Sequence, residues 1–200
     1  MIKNIIFDLG NVLLNFDPEQ FLSARYDKDM SKRLYCEIFQ SEEWLMLDRG
    51  IIRQKEVVER LSRRYPIDST EIELVFQDWT EMLTPICGTV EILERLKENK
   101  YRLYVLSNFH ILAFNKVFND NSFFQHFVGM IISSKVKLLK PELEIYNELI
   151  SRYRIKAEES IFIDDTAENL KGAEKAGLRT ILFRSPEELV WELRVLKVKL

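Results

Sequence analysis

Residues 5–14 read Ile-Ile-Phe-Asp-Leu-Gly-Asn-Val-Leu-Leu, an apolar run broken by one acid and, two positions on, a glycine. A short apolar run of this kind predicts a buried strand that carries a single carboxylate, Asp8, to its end. In open α/β sheets, ligands bind outside the carboxyl ends of the strands. A chain that begins this way is constrained to supply further strands beside the first, because one strand cannot cover both of its own faces.

The partners do not come at once. Asp17, Pro18 and Gln20 form an N-cap, a first-turn proline and a capping-box partner. From there to about Met82 the periodicity is helical throughout: Phe21 to Tyr26, then a helix capped by Asp29 with Leu34, Ile38 and Phe39 on one face. Glu42 to Asp48 follows, stopped by Gly50, then Gln54 to Tyr65 and Ser69 to Met82. Ile72, Val75, Phe76 and Trp79 fall at helical spacing and are expected in the core. Beyond Thr84, strands and helices alternate. Strands are predicted over residues 101–108, 128–134, 160–165 and 180–183, with helices over 88–99, 111–118, 142–153, about 167–176 and 186–197. That alternation predicts an α/β fold, a doubly wound parallel sheet with helices on both faces. The long helical stretch predicts a cap at 15–83, inserted into a core formed by 1–14 and 84–200.

Composition narrows the functions available. A net charge of −3 over 200 residues gives no electrostatic reason to expect nucleic acid or an anionic membrane as partner. No apolar run approaches the length of a membrane span, and Met1 leads almost directly into the first strand, so a cytoplasmic protein is expected. Cys36 and Cys87 lack CxxC spacing and are expected to be buried, reduced thiols. His110 and His126 are too few and too far apart to suggest a zinc cluster.

Chemistry collects at the strand ends. Asp8, Ser107-Asn108 and Asp164-Asp165 each close a predicted strand, and Lys140 stands before a helix. Parallel strands bring these groups to one edge of the sheet. Clustered carboxylates repel one another unless a cation lies among them, and several hard oxygen ligands suit Mg²⁺. Mg²⁺ with a lysine and small hydrogen-bonding groups can hold a phosphoryl group, which a neighbouring carboxylate can accept covalently. Each residue alone has a plainer explanation: Ser107, Asn108 or Asp165 as helix caps, Lys140 as a solvated side chain. Their conjunction at successive strand–helix junctions is what points to a site.

The four segments resemble the four motifs of haloacid dehalogenase-type (HAD) hydrolases, over essentially the whole chain: Phe7-Asp8-Leu9-Gly10-Asn11-Val12-Leu13, Leu106-Ser107-Asn108, Lys140-Pro141 and Ile163-Asp164-Asp165-Thr166. The insertion looks like the helical cap of the phosphoglycolate phosphatase and β-phosphoglucomutase branch. The string Asp-Leu-Gly-Asn-Val, with Asp48-Arg49-Gly50, is most similar to bacterial α-D-glucose-1-phosphate phosphatases. The resemblance implies a Mg²⁺-dependent phosphatase acting on a small phosphorylated metabolite such as a sugar phosphate. Asp8 would be the nucleophile, and Ser107 and Asn108 would hold phosphoryl oxygens through the hydroxyl and nearby amides. Lys140 would balance charge. Asp8, Asp165 and the Gly10 carbonyl would ligate the metal, with Asp164 a ligand directly or through water.

One position departs from the pattern. Most relatives carry a second Asp two residues after the nucleophile, as general acid and then base; here Gly10 stands in its place. Such help is worth roughly 10²–10⁴-fold. A cap carboxylate, Asp48, or the substrate itself could supply it; the leaving group could need less; or the protein could turn over poorly. Arg49 is a candidate sugar or phosphate contact, although Asp and Arg at a helix end are more often simply solvated. Two other readings stay open: a metal-independent 2-haloacid dehalogenase, against which the Asp164-Asp165 pair argues, and a phosphosugar-binding protein with little turnover. A phospho-accepting receiver domain fits less well, because its acidic pair precedes the acceptor and it lacks a large helical insertion.

Overall fold

The computed structural model describes residues 1–200. Five strands form one parallel sheet: β1 (Asn4–Phe7), β2 (Arg102–Ser107), β3 (Phe127–Ile132), β4 (Ser160–Asp164) and β5 (Arg179–Leu182), in the order β3-β2-β1-β4-β5. The chain leaves β1 towards β2 and β3, then returns to the other side of β1 for β4 and β5. The strand order therefore reverses at β1, which opens a crevice at the carboxyl ends there. In register, Phe7 lies level with Val105 on one side and Ile163 on the other. Asp8 thus enters that crevice beside the end of β4.

Alternation along the strands sorts their side chains onto two faces. Ile5, Phe7, Val105, Ile161 and Ile163 join the larger apolar cluster. Ile6, Tyr104, Leu106 and Phe162 face the smaller one, closed by α9 (Leu143–Tyr153) and α10 (Ala167–Lys175). Gly172 permits this closure at α10. A Cβ there would lie 2.6 Å from the Pro141 carbonyl, so only glycine lets the helix come against the segment that carries Lys140.

Between β1 and β2 lie α1 (Pro18–Ser23), α2 (Lys28–Leu34), α3 (Glu42–Asp48), α4 (Gln54–Arg64), α5 (Ser69–Asp78) and α6 (Cys87–Glu98). Asp17 caps α1 by accepting from the Gln20 amide, with Pro18 in the first turn, as the sequence leads one to expect. Ser41 caps α3 through the Trp44 amide, and Gly50, at φ +70°, ends the turn that follows. The helices before α6 share the larger cluster with the sheet through Leu34, Ile38, Trp44, Leu47, Val57, Leu61, Ile72 and Trp79. Apolar packing is thus continuous from the sheet into the helical insertion.

Several expectations are corrected. The first strand stops at Phe7 and so leaves Asp8 at its end as expected, but the apolar Leu9 to Leu14 that follow fold into a tight turn in which the Leu9 carbonyl accepts the amides of Val12, Leu13 and Leu14. Buried apolar residues look alike in a strand and in a buried turn, so periodicity cannot separate them. Asp27, and not Asp29, caps α2, since its carboxylate accepts from the amides of Asp29 and Met30. That helix passes into a π-helical turn at Tyr35–Phe39, and the helix of α5 tightens into a 3₁₀ turn at Trp79–Met82. The third strand ends at Ile132, and Ser133–Val136 forms a short helical turn, α8. Cys36 and Cys87 are free, as expected, but exposed rather than buried. No helix is long and apolar enough to cross a membrane.

Candidate active site

β1, β2 and β4 and the loop before α9 deliver their polar residues to one place. Asp8 is 7% exposed. The Lys140 ammonium lies 2.8 Å from Asp8 Oδ1 and 2.6 Å from Asp164 Oδ2, and only the second contact has hydrogen-bonding orientation. Burial pushes the Asp8 carboxyl up to about 7; Lys140 pulls it down, the Asp164 charge pushes it up, and the Ser107 hydroxyl pulls it down slightly. Burial by itself would weaken the Lys140 ammonium, yet the Asp8 and Asp164 carboxylates outweigh it and hold the proton more firmly than usual.

The groups around this pair are committed to holding it. Asp164 is fully buried; Oδ1 accepts from the Thr166 amide and Asn169, and Oδ2 from Lys140 and Asn169. The Asn108 side chain grips the Lys140 backbone at both ends: Oδ1 accepts its N–H at 2.9 Å, and Nδ2 donates to its carbonyl at 3.1 Å. The side-chain amide thus positions the lysine. Asn11, in the left-handed region at φ +53°, donates to Asp165 Oδ2 at 3.2 Å and accepts from the Phe16 amide at 3.0 Å. It ties the turn after β1 to the end of β4, a role not expected from sequence. Asp165 is half-buried, and burial pushes its carboxyl up from the usual range against the help of Asn11.

Oxygens of Asp8, Asp164 and Asp165 lie within 4.8 Å of one another. Asp8 Oδ1 has no hydrogen-bond partner, and Asp165 keeps only longer contacts, so these two acids retain lone pairs for a hard cation while Asp164 does not. That donor set fits Mg²⁺. Gly10 lines the same cavity, and a Cβ there would meet nothing closer than Phe16 Cβ at 3.9 Å. Space for a side chain exists; the carboxylate is simply missing.

The cavity in front of Asp8 has a volume of about 340 Å³. Its far wall comes from the turn after β1, the helical insertion and the loop after β2: Phe16, Trp44, Asp48, Trp79, Leu83 and Phe109. Trp79, expected as core, is buried and lines the cavity as well; its indole N–H has no partner. Asp48 also lines the cavity, in keeping with its expected place. Arg49 does not: its guanidinium pairs with Glu142 and reaches the Lys137 carbonyl, and Lys137 in turn donates to the Gly50 carbonyl. The Asp48-Arg49-Gly50 stretch is thus a latch between the insertion and the segment after β3, and Arg49, a candidate sugar or phosphate contact by sequence, is not among the residues that line the cavity.

His110 has no ligand spacing in the sequence; its one local mark is its place two residues beyond Asn108, on the same loop after β2. In the fold it is 2% exposed and packs between two indoles, 4.3 Å from the Trp44 ring and 5.0 Å from the Trp79 ring. Its Nε2 lies 3.0 Å from Asp48 Oδ1, off the axis a hydrogen bond requires.

The chain matches the family model described as haloacid dehalogenase-like hydrolase over residues 5–183. It is 27% identical to the sesquiterpene phosphatase astK of Aspergillus oryzae over 176 residues, 88% of this chain and 87% of that one. It is 22% identical to a phosphorylated carbohydrates phosphatase of Thermotoga maritima, covering 90% and 84% of the two chains. The HAD family enzyme BT-2542 of Bacteroides thetaiotaomicron, solved with magnesium and inorganic phosphate, superposes with a TM-score of 0.73 at 25% identity, over 92% of this chain and 96% of that one. The finer likeness to α-D-glucose-1-phosphate phosphatases rests on the motif strings alone. With the strand-end acids, the lysine and the inserted helices in place, the protein belongs to the haloacid dehalogenase-like hydrolases and is an enzyme of that class.

Proposed function

We propose that this chain is a Mg²⁺-dependent phosphatase that hydrolyses a small phosphomonoester through an aspartyl phosphate on Asp8. The observation that carries it is Asp8 itself: a buried carboxylate at the switch point of the sheet, with an unpartnered oxygen, an ammonium 2.8 Å away and an acidic pair alongside. Asp8, Asp165 and the Gly10 carbonyl would hold the metal, which when bound lowers the charge repulsion between carboxylate and phosphate. Asp164 acts through Lys140, Thr166 and Asn169. Lys140 favours the ionised form of Asp8 and meets the incoming phosphoryl charge, and the Ser107 hydroxyl and the backbone amides around it donate to the phosphoryl oxygens. The names of astK and the Thermotoga relative, and the magnesium and phosphate of BT-2542, support this reading. Residues 15–83 serve as the cap over the site. Two free, exposed thiols suit a reducing cytoplasm.

The leaving group would meet Phe16, Trp44, Trp79, Leu83 and Phe109. Each hydroxyl left unpaired against such a wall costs about 1–3 kcal/mol. An alcohol with a largely apolar face therefore suits the cavity better than a hexose. Phosphate release should require Mg²⁺ and disappear in Asp8→Asn. Release that survives EDTA, or that Asp8→Asn leaves intact, would sink the proposal. Vanadate binding without turnover on a broad panel of esters would favour a phosphoester-binding protein instead.

A further inference from the structure

We propose that His110 and Asp48 form a proton relay that replaces the carboxyl absent at Gly10, with Asp48 as the catalytic acid and base and His110 as the residue that positions it and shares its proton. The proposal rests on the phosphatase reading above. Elimination within the cavity points to the pair. Its titratable lining residues are Asp8, Asp48, His110, Lys140 and Asp165. Asp8 is the acceptor, Lys140 is held between two acids, and Asp165 faces the metal position. Asp48 and His110 remain.

Their placement is built rather than incidental. The Ser133 hydroxyl accepts the Phe109 amide at 2.9 Å and donates to the Asp48 carbonyl, so one buried side chain aligns the backbones on both sides of the contact. Ser134 clasps the Phe109 carbonyl in addition. Backbone contacts therefore hold the latch without help from the imidazole. The His110 ring nonetheless lies between two indoles with both nitrogens unpartnered and Nε2 3.0 Å from Asp48 Oδ1. A buried polar ring without partners carries a cost that packing alone does not explain. The Asp48 side chain is 14% exposed and forms part of the cavity wall, which puts the carboxyl in front and the imidazole behind it.

In the proposed cycle the pair carries one proton, which the Asp48 carboxyl presents to the leaving group. As Asp8 attacks phosphorus, the bond from phosphorus to the ester oxygen breaks, and that oxygen keeps the electron pair and takes the proton from the Asp48 carboxyl. The pair is left as carboxylate and neutral imidazole. In the second half, water attacks phosphorus and returns a proton to the pair, and the bond to Asp8 breaks to restore its carboxylate. Protons and charge balance over the cycle without another reactant.

The test compares p-nitrophenyl phosphate, whose nitrophenolate leaves without a proton, with benzyl phosphate, whose alkoxide requires one. In Asp48→Asn, kcat/KM for benzyl phosphate should fall about 10²-fold or more. With p-nitrophenyl phosphate, kcat/KM should stay within about threefold while kcat falls, with a burst of one nitrophenolate per site, because only the water step then lacks its base. His110→Gln should repeat the pattern at about tenfold, and Gly10→Asp added to Asp48→Asn should restore benzyl phosphate turnover. Equal losses on both esters, or no loss on benzyl phosphate, would overturn the relay while leaving the phosphatase intact. A wild type inactive on both esters, or an active Asp8→Asn, would overturn both proposals. The burst counts folded sites, and Asp48→Asn, isosteric and at the cavity wall, decides the matter should His110→Gln fail to fold.

Discussion

The two walls of the cavity are built on opposite principles. On the sheet side nearly every polar group has a partner: Asn108 on the Lys140 backbone, Asp164 on Lys140, Thr166 and Asn169, Asn11 on Asp165 and Phe16. On the helical side the wall is rings and aliphatic carbon around the Asp48 carboxyl, and Trp79 Nε1 and the His110 nitrogens there are unpartnered. A network with its valences filled holds one geometry, suited under the proposed function to a phosphoryl group common to every substrate. A wall with vacant donors is finished only by what enters it. On the proposed function, capture of the phosphoryl group would reside in the first wall, and protonation and choice of the leaving alcohol in the second.

Substitutions on the sheet side should be the most damaging. Asp8→Asn should lower kcat/KM by on the order of 10⁴-fold or more, read as Mg²⁺-dependent phosphate release, because a lost nucleophile leaves only binding contributions. Lys140→Met should cost about 3–5 kcal/mol of folding stability, since it strands two buried carboxylates. A denaturant midpoint close to wild type would show that the two walls are less different than drawn here. The helical wall predicts selectivity instead: benzyl phosphate over glucose 6-phosphate by about 10²-fold in kcat/KM, from one to two stranded hydroxyls. Equal values would mean that the hydroxyls find partners among the vacant donors.

Two weaker effects refine the contrast. Asp8 is raised from 3.8 to about 7, so it contributes stability that is fully present below about pH 3.8 and lost as pH rises through about 7. In metal-free protein the melting temperature of Asp8→Asn should therefore gain on wild type between about pH 4 and 7, and added Mg²⁺ should shrink the gap. A gap constant with pH would remove burial as the cause. Arg49→Ala should cost no more than about 1 kcal/mol, because the pair with Glu142 is about one-third exposed. A larger loss in chemical denaturation would make the latch a principal join between the insertion and the sheet.

The sheet side was legible because each of its groups marks a strand end, and strand ends carry both an apolar run and a polar stop. Asp8, Ser107, Asp164 and Asp165 announce themselves by position, and parallel pairing does the rest. Asn108 announced its place but not its task, since nothing local shows that its amide would close on the Lys140 backbone 32 residues away. Arg49 was misplaced for a related reason: a charge at a helix end looks the same whether it faces a ligand or Glu142. Cys36 and Cys87 followed the general tendency of cysteine and were wrong in the particular, because burial depends on which helix face finds a neighbour.

The sequence by itself determined the sheet, its polar edge and the missing carboxyl at Gly10, all of which follow from short-range patterns repeated at strand ends. Only the tertiary structure decided what stands opposite that gap. Asp48 stands out in the sequence only as a cap carboxylate at a helix end, and His110, 62 residues away, only by its nearness to Asn108; nothing local pairs them, and they meet because Ser133, from a third segment, hydrogen-bonds beside both. Contacts of that separation are set by how the helical insertion seats on the sheet, a property of packed surfaces that no local pattern encodes.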